Sequence, residues 1–552
     1  MNQYIRNPVL PGFNPDPSFL RVDEDYYLAT STFEWYPGVQ IHHSRDLVNW
    51  TLVSRPLNRA DLLDMRGNPD SCGIWAPCLS HCDGLFWLVY TDVKRYDGAF
   101  KDAPNYITTC ATIDGNWSPR RYVNSSGFDP SLFHDEDGRK YFLNMQWNHR
   151  GRGTGGNPKN ASFDGILLQE WHPEKGLLGE TVNIYPGSPR GLTEAPHLFK
   201  RGGWYYLTVA EGGTGYDHAV TMARSRDIRG PYETQPDAHL MDASGHPDHP
   251  VQRTGHGQYV ETHWGDVYHS FLMGRPLPGN TNHGQFCACG RETGLERCVW
   301  GEDDWLYLEH DSPLARSLVP APGTPMGLLE DATTQRLAEQ ESVNIRYTFN
   351  EPELPQDFQW LRTPFPNRIF RIEDGALVLI GRESLGSWFE QSLVARRQEH
   401  HAYTAHTTLA FEPEVYQQAA GLVTYYNRYK FHALMLTHDA SMGRVLTVMS
   451  CVGDYPSGAL QMPQDTPVAV PPGAIDMCVT VDGASQQFHW RASADEQWQP
   501  IGPVLDASVI SDEGGRGEHG SFTGTFCGVV AFDITGSARE ARCLEFVYCS
   551  KL

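Results

Sequence analysis

Three carboxylic acids in the first half of the chain share a local sequence context that could support catalysis. Asp16 stands between two prolines within residues 14–18, and Asp129 occupies a nearly identical stretch within residues 128–131. Glu194 precedes an Ala-Pro pair in a looser copy of the pattern. Hydrolysis of a glycosidic bond needs a carboxylic acid to protonate the leaving oxygen and a carboxylate to activate water or attack directly. If the three residues converge in the fold, they predict this chemistry.

The flanking residues suggest a different role for each acid. Glu194 lies between Thr193 and Ala195, and an apolar setting beside another carboxylate raises a carboxyl pKa, which suits a general acid. Asp16 is fixed by its flanking prolines and suits a general base. We expect Asp129, the third group, to hold the proton of the acid by like-charge repulsion and to orient it. A single Asp-Pro pair would predict only a turn residue, but two copies in register with Glu194 favour a site.

The repeated stretches also define the elements that must position these acids. Each copy is followed by an aromatic run and further short strands, separated by turn signals such as Asp-Gly. Five such units of roughly 55–65 residues, each worth about four strands, predict a five-bladed β-propeller over residues 1–315. The residues at the start of each first strand should then converge at the mouth of the central funnel. These residues are Asp16, Trp75, Asp129, Glu194 and His256.

The sequence changes character after the fifth unit. Residues 316–344 contain prolines and then a polar stretch, which predicts a linker. Residues 345–552 return to short strands and Gly/Pro turns without the propeller period, which predicts a β-sandwich. The expected fold is therefore all-β, with a five-bladed β-propeller followed by a C-terminal β-sandwich.

Other residues near the blade starts have side chains that suit a sugar. Trp75 is expected to stack on a pyranose ring, whereas Phe33 and Phe128 are equally compatible with stacking and with packing in the blade core. Arg291 carries five donors that can bind adjacent hydroxyl groups. Thr214, on a loop leaving blade four, is a weaker candidate. These five residues are the expected substrate-binding set of the propeller.

His256 lies between two glycines at the start of the fifth unit. A histidine at this position is either a hydrogen-bonded core residue or a ligand of a cation. A divalent cation such as calcium beside His256 would neutralise charge beneath the carboxylates. The hydrolytic chemistry itself requires no cofactor.

The composition narrows the expected partners and location. A formal net charge of −23 argues against nucleic acid and anionic membranes. The N-terminal residues show no apolar leader, and no run of 18 apolar residues occurs. The 12 cysteines are scattered without a zinc-site spacing. We therefore expect a cytoplasmic protein with reduced cysteines, and the sheet edges of two β domains favour a homo-oligomer.

Eight short motifs occur in order along the whole chain, at residues 14–18, 44–50, 73–77, 128–131, 193–197, 255–257, 290–293 and 522–526. Together they resemble the two-domain β-xylosidases of glycoside hydrolase family forty-three. The resemblance implies an inverting mechanism with Asp16 as general base, Glu194 as general acid and Asp129 as pKa modulator. In such relatives the sandwich lends an aromatic residue that closes the pocket. Phe526 is our candidate for that residue, with Phe522 as the alternative.

The resemblance implies that the substrate is a xylo-oligosaccharide, from which one xylose leaves the non-reducing end of a β-1,4-linked chain. Many relatives also remove α-L-arabinofuranose, so a dedicated α-L-arabinofuranosidase remains an alternative. A non-catalytic sugar-binding propeller would have no reason to keep all three acids. A retaining fructosidase would need an Asn-Asp-Pro-Asn nucleophile and a Glu-Cys acid motif, and neither occurs.

Two further expectations concern the geometry of the pocket. Inversion predicts that the carboxyl groups of Asp16 and Glu194 stand about 6.5–9.5 Å apart, which leaves room for a water. The Gly/Asn/Arg-rich residues 148–163 form a loop that could reshape the entrance.

Overall fold

The computed structural model describes residues 4–151, 162–236, 239–277, 285–310, 312–324, 342–515 and 521–550. It confirms the predicted all-β fold, a five-bladed β-propeller followed by a β-sandwich. Residues 152–161 of the expected entrance loop and residues 325–341 of the expected linker lie outside the described residues. Within the described ranges, no helix is both long and apolar enough to cross a membrane.

Each blade of the propeller is an antiparallel sheet of four strands in chain order, and blades 4 and 5 carry one extra short strand each. The strands of blades 1 and 2 are Ser18–Val22, Asp25–Thr30, Gln40–Ser44 and Thr51–Ser54, then Gly73–Cys82, Leu85–Val93, Asn105–Cys110 and Arg121–Tyr122. Those of blade 3 are Ser131–His134, Lys140–Trp147, Phe163–His172 and Gly176–Tyr185. Those of blades 4 and 5 are Glu194–Arg201, Trp204–Glu211, Ala219–Ser225, Glu233–Thr234 and Met241–Asp242, then Gln252–Gly255, Tyr259–Glu261, Val267–Gly274, Glu292–Trp300 and Leu306–Leu308.

The ring of blades is closed by the N-terminal segment. Strand Tyr4–Arg6 pairs antiparallel with Leu318–Pro320, which follows blade 5. The side chain of Asn7 donates to the carbonyls of Leu295 and Arg316, at 2.8 Å each. Because Asn7 is buried, these bonds satisfy polar groups that water cannot reach. They fix the segment that leads directly into Asp16.

The C-terminal domain packs two antiparallel sheets face to face. In strand Ala402–Ala410, buried positions alternate with half-buried ones, as expected for a strand with one face on the core. The first sheet contains, in spatial order, Phe370–Glu373, Ala376–Ile380, Glu540–Ser550, Ala402–Ala410, Ala474–Asp482, Ser485–Arg491 and Gln499–Asp506, with Asn344–Thr348 also paired to Glu540–Ser550. The second contains Val468–Ala469, Gly443–Val452, Lys430–Asp439, Gln418–Asn427, Phe526–Asp533, Ser392–Arg397, Phe358–Leu361 and Trp35–Tyr36. Two short 3₁₀ turns lie at Pro366–Arg368 and Ala507–Val509.

The last strand of that second sheet comes from the propeller. Trp35–Tyr36 leaves blade 1 and pairs with Phe358–Leu361, so that Tyr36 lies opposite Trp360. In the reverse direction, the buried Arg362 extends from the sandwich to Asp70, with Nη2 2.7 Å from Oδ1. The two domains therefore share a sheet and a buried ion pair, and the junction lies beside the mouth of the propeller.

Candidate active site

The start of every blade has the same unusual backbone conformation. Asp16, Ala76, Asp129, Ala195 and His256 have positive φ angles of 58°, 41°, 55°, 54° and 42°. The next residue is proline in four of these cases and glycine in the fifth. A left-handed conformation costs a non-glycine residue about 1–3 kcal/mol and is concentrated at functional sites. The repeated sequence pattern therefore encodes a repeated kink that aims five residues at one place.

The position of the kink shows that the candidate site residues are not all at the equivalent position of their repeats, although the sequence pattern suggests that they are. Asp16 and Asp129 occupy the kinked position itself, whereas Glu194 and Trp75 each precede the kinked alanine by one residue. Glu194 is thus not the strict equivalent of Asp16. Its carboxyl group comes from the residue before the turn, on a longer side chain, and so approaches the others from a different direction.

The five blade starts surround one cavity of about 250 Å³. Its lining includes almost every residue that the sequence predicted for the site: Asp16, Phe33, Trp75, Phe128, Asp129, Glu194, Thr214, His256 and Arg291. It also includes Phe522, the alternative that the sequence left open beside Phe526, and four side chains that sequence reasoning missed: Tyr96, Lys101, Trp147 and Phe163. None of these four lies in one of the eight motifs that could have identified it.

Phe526 does not lie where the sequence reasoning put it. It is fully buried and stacks on Trp35, with ring centroids 3.6 Å apart and planes 13° apart. Phe522, four residues earlier in the sandwich, lines the cavity instead and meets Trp75 edge-on at 5.9 Å. The sandwich therefore does contribute an aromatic ring to the pocket, but from Phe522.

Asp16 is held by donors on both carboxylate oxygens. Arg291 Nη1 donates to Oδ1 at 3.0 Å, and Ser31 Oγ donates to Oδ2 at 2.7 Å. Ser31 Oγ in turn accepts from the backbone nitrogen of Ala76 at 2.8 Å. Arg291 Nε and Nη2 both donate to the carbonyl of Phe522 at 3.0 and 2.8 Å. The same guanidinium thus fixes Asp16 and the segment of the sandwich that closes the pocket.

Burial and neighbouring carboxylates raise the pKa values of both Glu194 and Asp129. Burial, followed by the charge of Asp16, raises the pKa of Glu194 to about 8. Burial, followed by the charges of Glu194 and Asp16, raises the pKa of Asp129 well above its usual range. Asp129 Oδ2 accepts from the backbone nitrogen of Ala195 at 3.1 Å, directly after Glu194. At neutral pH Glu194 therefore holds a proton that an exposed carboxyl group would release.

His256 lies beneath the acids, with Nδ1 3.7 Å from Asp16 Oδ1 and 4.0 Å from Asp129 Oδ2. Burial, followed by the charge of Arg291, lowers the pKa of His256 to about 3, so its ring is neutral. Among the described residues, no group of three or more histidine, cysteine, aspartate or glutamate side chains is arranged to hold a metal ion. The calcium expected at His256 therefore has no support from this part of the chain.

The remaining wall of the cavity is aromatic. Trp75 is oriented by a 2.8 Å bond from Nε1 to the carbonyl of Ser71, and its ring meets those of Phe33 and Phe128 at 5.5 Å each. Lys101 reaches in from a loop of blade 2, with Nζ 4.2 Å from the centre of the Trp147 ring. Burial lowers the pKa of Lys101 to about 8. An apolar wall with a few fixed polar groups suits the C–H faces and hydroxyls of a single sugar ring.

Two family models match the chain. The model for glycosyl hydrolases family 43 matches residues 5–306, and that for the beta xylosidase C-terminal concanavalin A-like domain matches residues 346–548. The propeller and the sandwich thus each correspond to one model.

The chain is also similar to individual proteins over nearly its full length. It is 54% identical to a protein named xylosidase/arabinosidase 43B from Humicola insolens, over 99% of this chain and 97% of that protein. It is 44% identical to a beta-xylosidase from Bacillus subtilis, over 99% of this chain and 100% of that protein. The crystal structure of a xylan beta-1,4-xylosidase from Bacillus halodurans superposes with a TM-score of 0.90 at 43% identity, covering 99% of this chain and 100% of that one. The chain therefore belongs to glycosyl hydrolases family 43.

Proposed function

We propose that this glycoside hydrolase releases xylose, one residue at a time, from the non-reducing end of β-1,4-xylo-oligosaccharides with inversion at the anomeric carbon. Asp16 acts as general base, Glu194 as general acid and Asp129 as the group that positions and tunes Glu194. The contrast between Asp16 and Glu194 within one cavity carries the proposal. One acid is held by a cation and a hydroxyl, whereas burial keeps the other protonated.

The proton state of Glu194 and the hydrogen bonds of Asp16 support these roles. A general acid must hold its proton at the working pH, and Glu194, with a pKa raised to about 8, does so. Asp16 accepts hydrogen bonds from Arg291 and Ser31, which fix its carboxyl group in the orientation that a base needs toward water. This division of labour between two carboxyl groups is that of glycoside hydrolysis.

Asp129 acts through Glu194. Its carboxyl group accepts from the peptide nitrogen that links Glu194 to Ala195, which fixes the backbone of the acid. The charge of Glu194 is in turn among the causes that raise the pKa of Asp129, after burial, so the two carboxyl groups interact directly. We therefore assign Asp129 as a positioning residue.

The cavity supports release of single sugars. At about 250 Å³ it is smaller than the roughly 300–1,000 Å³ of common ligand pockets. Phe522 from the sandwich and the blade starts enclose it from different sides. A pocket of this size takes one terminal sugar ring, and the rest of the oligosaccharide must stay outside.

The acid and base roles can be separated with substrates that differ in their leaving group. Glu194→Gln should lose about 10²–10⁴-fold in kcat on xylobiose, and much less on an aryl β-D-xyloside whose phenolate leaves without protonation. Asp16→Asn should lose activity on both substrates to a similar extent, because water must attack in either case. Equal losses for Glu194→Gln on both substrates would contradict the acid role. NMR of the first product formed should show α-xylose, and β-xylose would contradict inversion.

A second candidate activity is release of α-L-arabinofuranose. The relative with 54% identity carries both activities in its name. The two sugars present similar hydroxyl patterns, and the cavity offers the same donors to either. Turnover of aryl α-L-arabinofuranoside against aryl β-D-xyloside, compared as kcat/KM, decides which activity dominates.

A further inference from the structure

A second cavity, of about 350 Å³, lies between blade 1 and the sandwich. It shares no lining residue with the catalytic cavity. Its charged and polar lining includes Gln40, His42 and Arg55 from the propeller, and Asp357, Arg397 and Glu399 from the sandwich.

Both arginines in this cavity have unused binding capacity. Arg397 is only 6% exposed, donates from Nε to the carbonyl of Phe13 at 2.5 Å, and has no hydrogen-bond partner for Nη2. The half-buried Arg55 donates only to neutral acceptors, the side chain of Gln40 and the carbonyls of Gln356 and Phe358. In the described part of the chain, neither guanidinium has a carboxylate within 4.0 Å. Buried arginines are normally paired, so this arrangement is unusual.

The carboxylates of the cavity are engaged elsewhere. Glu399 pairs with Arg396, whose Nη2 lies 3.0 Å from Oε2. Asp357 accepts a hydrogen bond from the hydroxyl of Tyr347. Burial lowers the pKa of His42 to about 3, so this residue adds no charge, but its Nδ1 has no partner. The lining thus holds two guanidinium groups and two carboxylates, but Glu399 pairs with Arg396 outside the lining and Asp357 accepts from Tyr347, so neither carboxylate pairs directly with either guanidinium group.

The two arginines also disfavour each other. Burial lowers the pKa of Arg55 to about 10. Burial, followed by the charge of Arg55, lowers the pKa of Arg397 to about 9. A guanidinium almost always keeps its proton, so these directions indicate positive charges that the nearby carboxylates Asp357 and Glu399 compensate only in part. An anion between the two arginines would supply the rest of the compensation.

We propose that this interdomain cavity binds a small oxyanion, a carboxylate or phosphate group held between Arg55 and Arg397. Both guanidinium groups have the fork geometry that binds such an anion with two parallel hydrogen bonds. His42, through its unpartnered ring nitrogen, can add a further bond. The cavity is larger than one oxyanion, and Val9 and Leu52 in its wall can accommodate an apolar part of a small organic acid or phosphate ester.

Isothermal titration of the full-length protein with inorganic phosphate, and separately with acetate, tests the proposal. We expect saturable binding of at least one of the two ions at one site per chain, and the stronger ion shows which oxyanion the cavity prefers. Arg397→Gln and Arg55→Gln should each weaken this binding at least tenfold, which corresponds to about 1.4 kcal/mol. Because Arg55 is half-buried and makes no ion pair, Arg55→Gln still tests the site if Arg397→Gln does not fold. Arg45→Gln, which changes a 72% exposed side chain, is the matched control and should bind normally.

A rise in the thermal midpoint with added ion gives a second readout, because a ligand of the folded state stabilises it by mass action. At the same ion concentration the rise should be present in the wild type and in Arg45→Gln, and clearly smaller in Arg55→Gln. Absence of saturable binding of both ions by the wild type would overturn the proposal. Binding that persists unchanged in both Arg55→Gln and Arg397→Gln would overturn it as well, since it would place the anion elsewhere.

Discussion

Glu194 should reduce the stability of the protein at neutral pH because the fold buries it. Burial and the charge of Asp16 raise the pKa of Glu194 from 4.5 to about 8. Between these values the folded protein keeps the proton that the unfolded chain releases, so the free energy of unfolding falls as pH rises. In this range the free energy of unfolding falls by about 1.36 kcal/mol for each unit of pH. Multiplied by the difference between 4.5 and about 8, this gives up to about 5 kcal/mol above pH 8.

Glu194→Gln removes the ionisable group while keeping the shape of the side chain. Near pH 4.5 the variant and the wild type should be equally stable, since both carry a neutral side chain there. As pH rises the variant should become the more stable protein, by a margin that grows to a few kcal/mol at pH 8 and then stays level. Thermal and guanidinium unfolding at pH 5, 6, 7, 8 and 9 measure this margin.

The exposed Glu174 provides the control, since Glu174→Gln changes the same chemical group at the surface. Its stability difference from the wild type should stay small at every pH. If the margin for Glu194→Gln were constant from pH 5 to 9, or if the variant were less stable than the wild type at pH 8, the electrostatic account of Glu194 would be refuted. The same result would remove the physical reason for its role as acid.

Four further outcomes are expected. The kcat/KM on xylobiose should fall as pH rises through about 8, because Glu194 then loses its proton, and a pH–rate profile measures this. Arg362→Met removes one of the two arginine partners of the buried Asp70 and leaves Arg428, so it should lower the free energy of unfolding by about 3 kcal/mol, the lower end of the range for breaking a buried ion pair, measured by chemical unfolding. Phe522→Ala opens the cavity and should lower kcat/KM at little cost in stability. Phe526→Ala removes a fully buried ring and should destabilise by about 3–5 kcal/mol.

Each of these outcomes has a matched comparison. Arg371→Met breaks ion pairs with Glu373 and Glu540 that are largely exposed, so it should change stability by only about 0–1 kcal/mol. An equal effect of Arg371→Met and Arg362→Met would contradict the assignment of the buried pair. Loss of kcat/KM on xylobiose already complete below pH 6 would contradict the raised pKa of Glu194. Phe522→Ala and Phe526→Ala are controls for each other. If Phe522→Ala mainly lowered stability and Phe526→Ala mainly lowered kcat/KM, the placement of the two rings would be contradicted.

The propeller could be predicted because its repeats are encoded locally. Each blade start combines a left-handed residue with a following proline or glycine, and that combination is visible in the sequence as two Asp-Pro and two Ala-Pro pairs. The addition of Trp35–Tyr36 to the sandwich could not be predicted in this way. Its partner, Phe358–Leu361, lies far along the chain, and a two-residue strand has no periodicity of its own.

The choice between Phe522 and Phe526 shows a similar limit. Both flank Gly524, whose backbone packs so closely that an added Cβ would lie 2.8 Å from the carbonyl of Cys289. The chain passes this contact and enters strand Phe526–Asp533, which places Phe526 against the core of the sandwich. The close packing around Gly524 and the hydrogen bonds from Arg291 to the Phe522 carbonyl place the two rings differently, and sequence spacing carries no information about these contacts.

The two Asp-Pro copies show that local sequence alone cannot assign the roles of Asp16 and Asp129. Asp16 and Asp129 share a conformation, and their following residues are nearly identical. Their neighbours come from other parts of the fold: Asp16 meets Arg291, whereas Asp129 meets the peptide between Glu194 and Ala195. Because Ala195 takes the kinked position, Glu194 precedes it, and Asp129 contacts the backbone that carries Glu194. The one-residue offset at Glu194 therefore makes one copy a candidate base and the other a support for the acid.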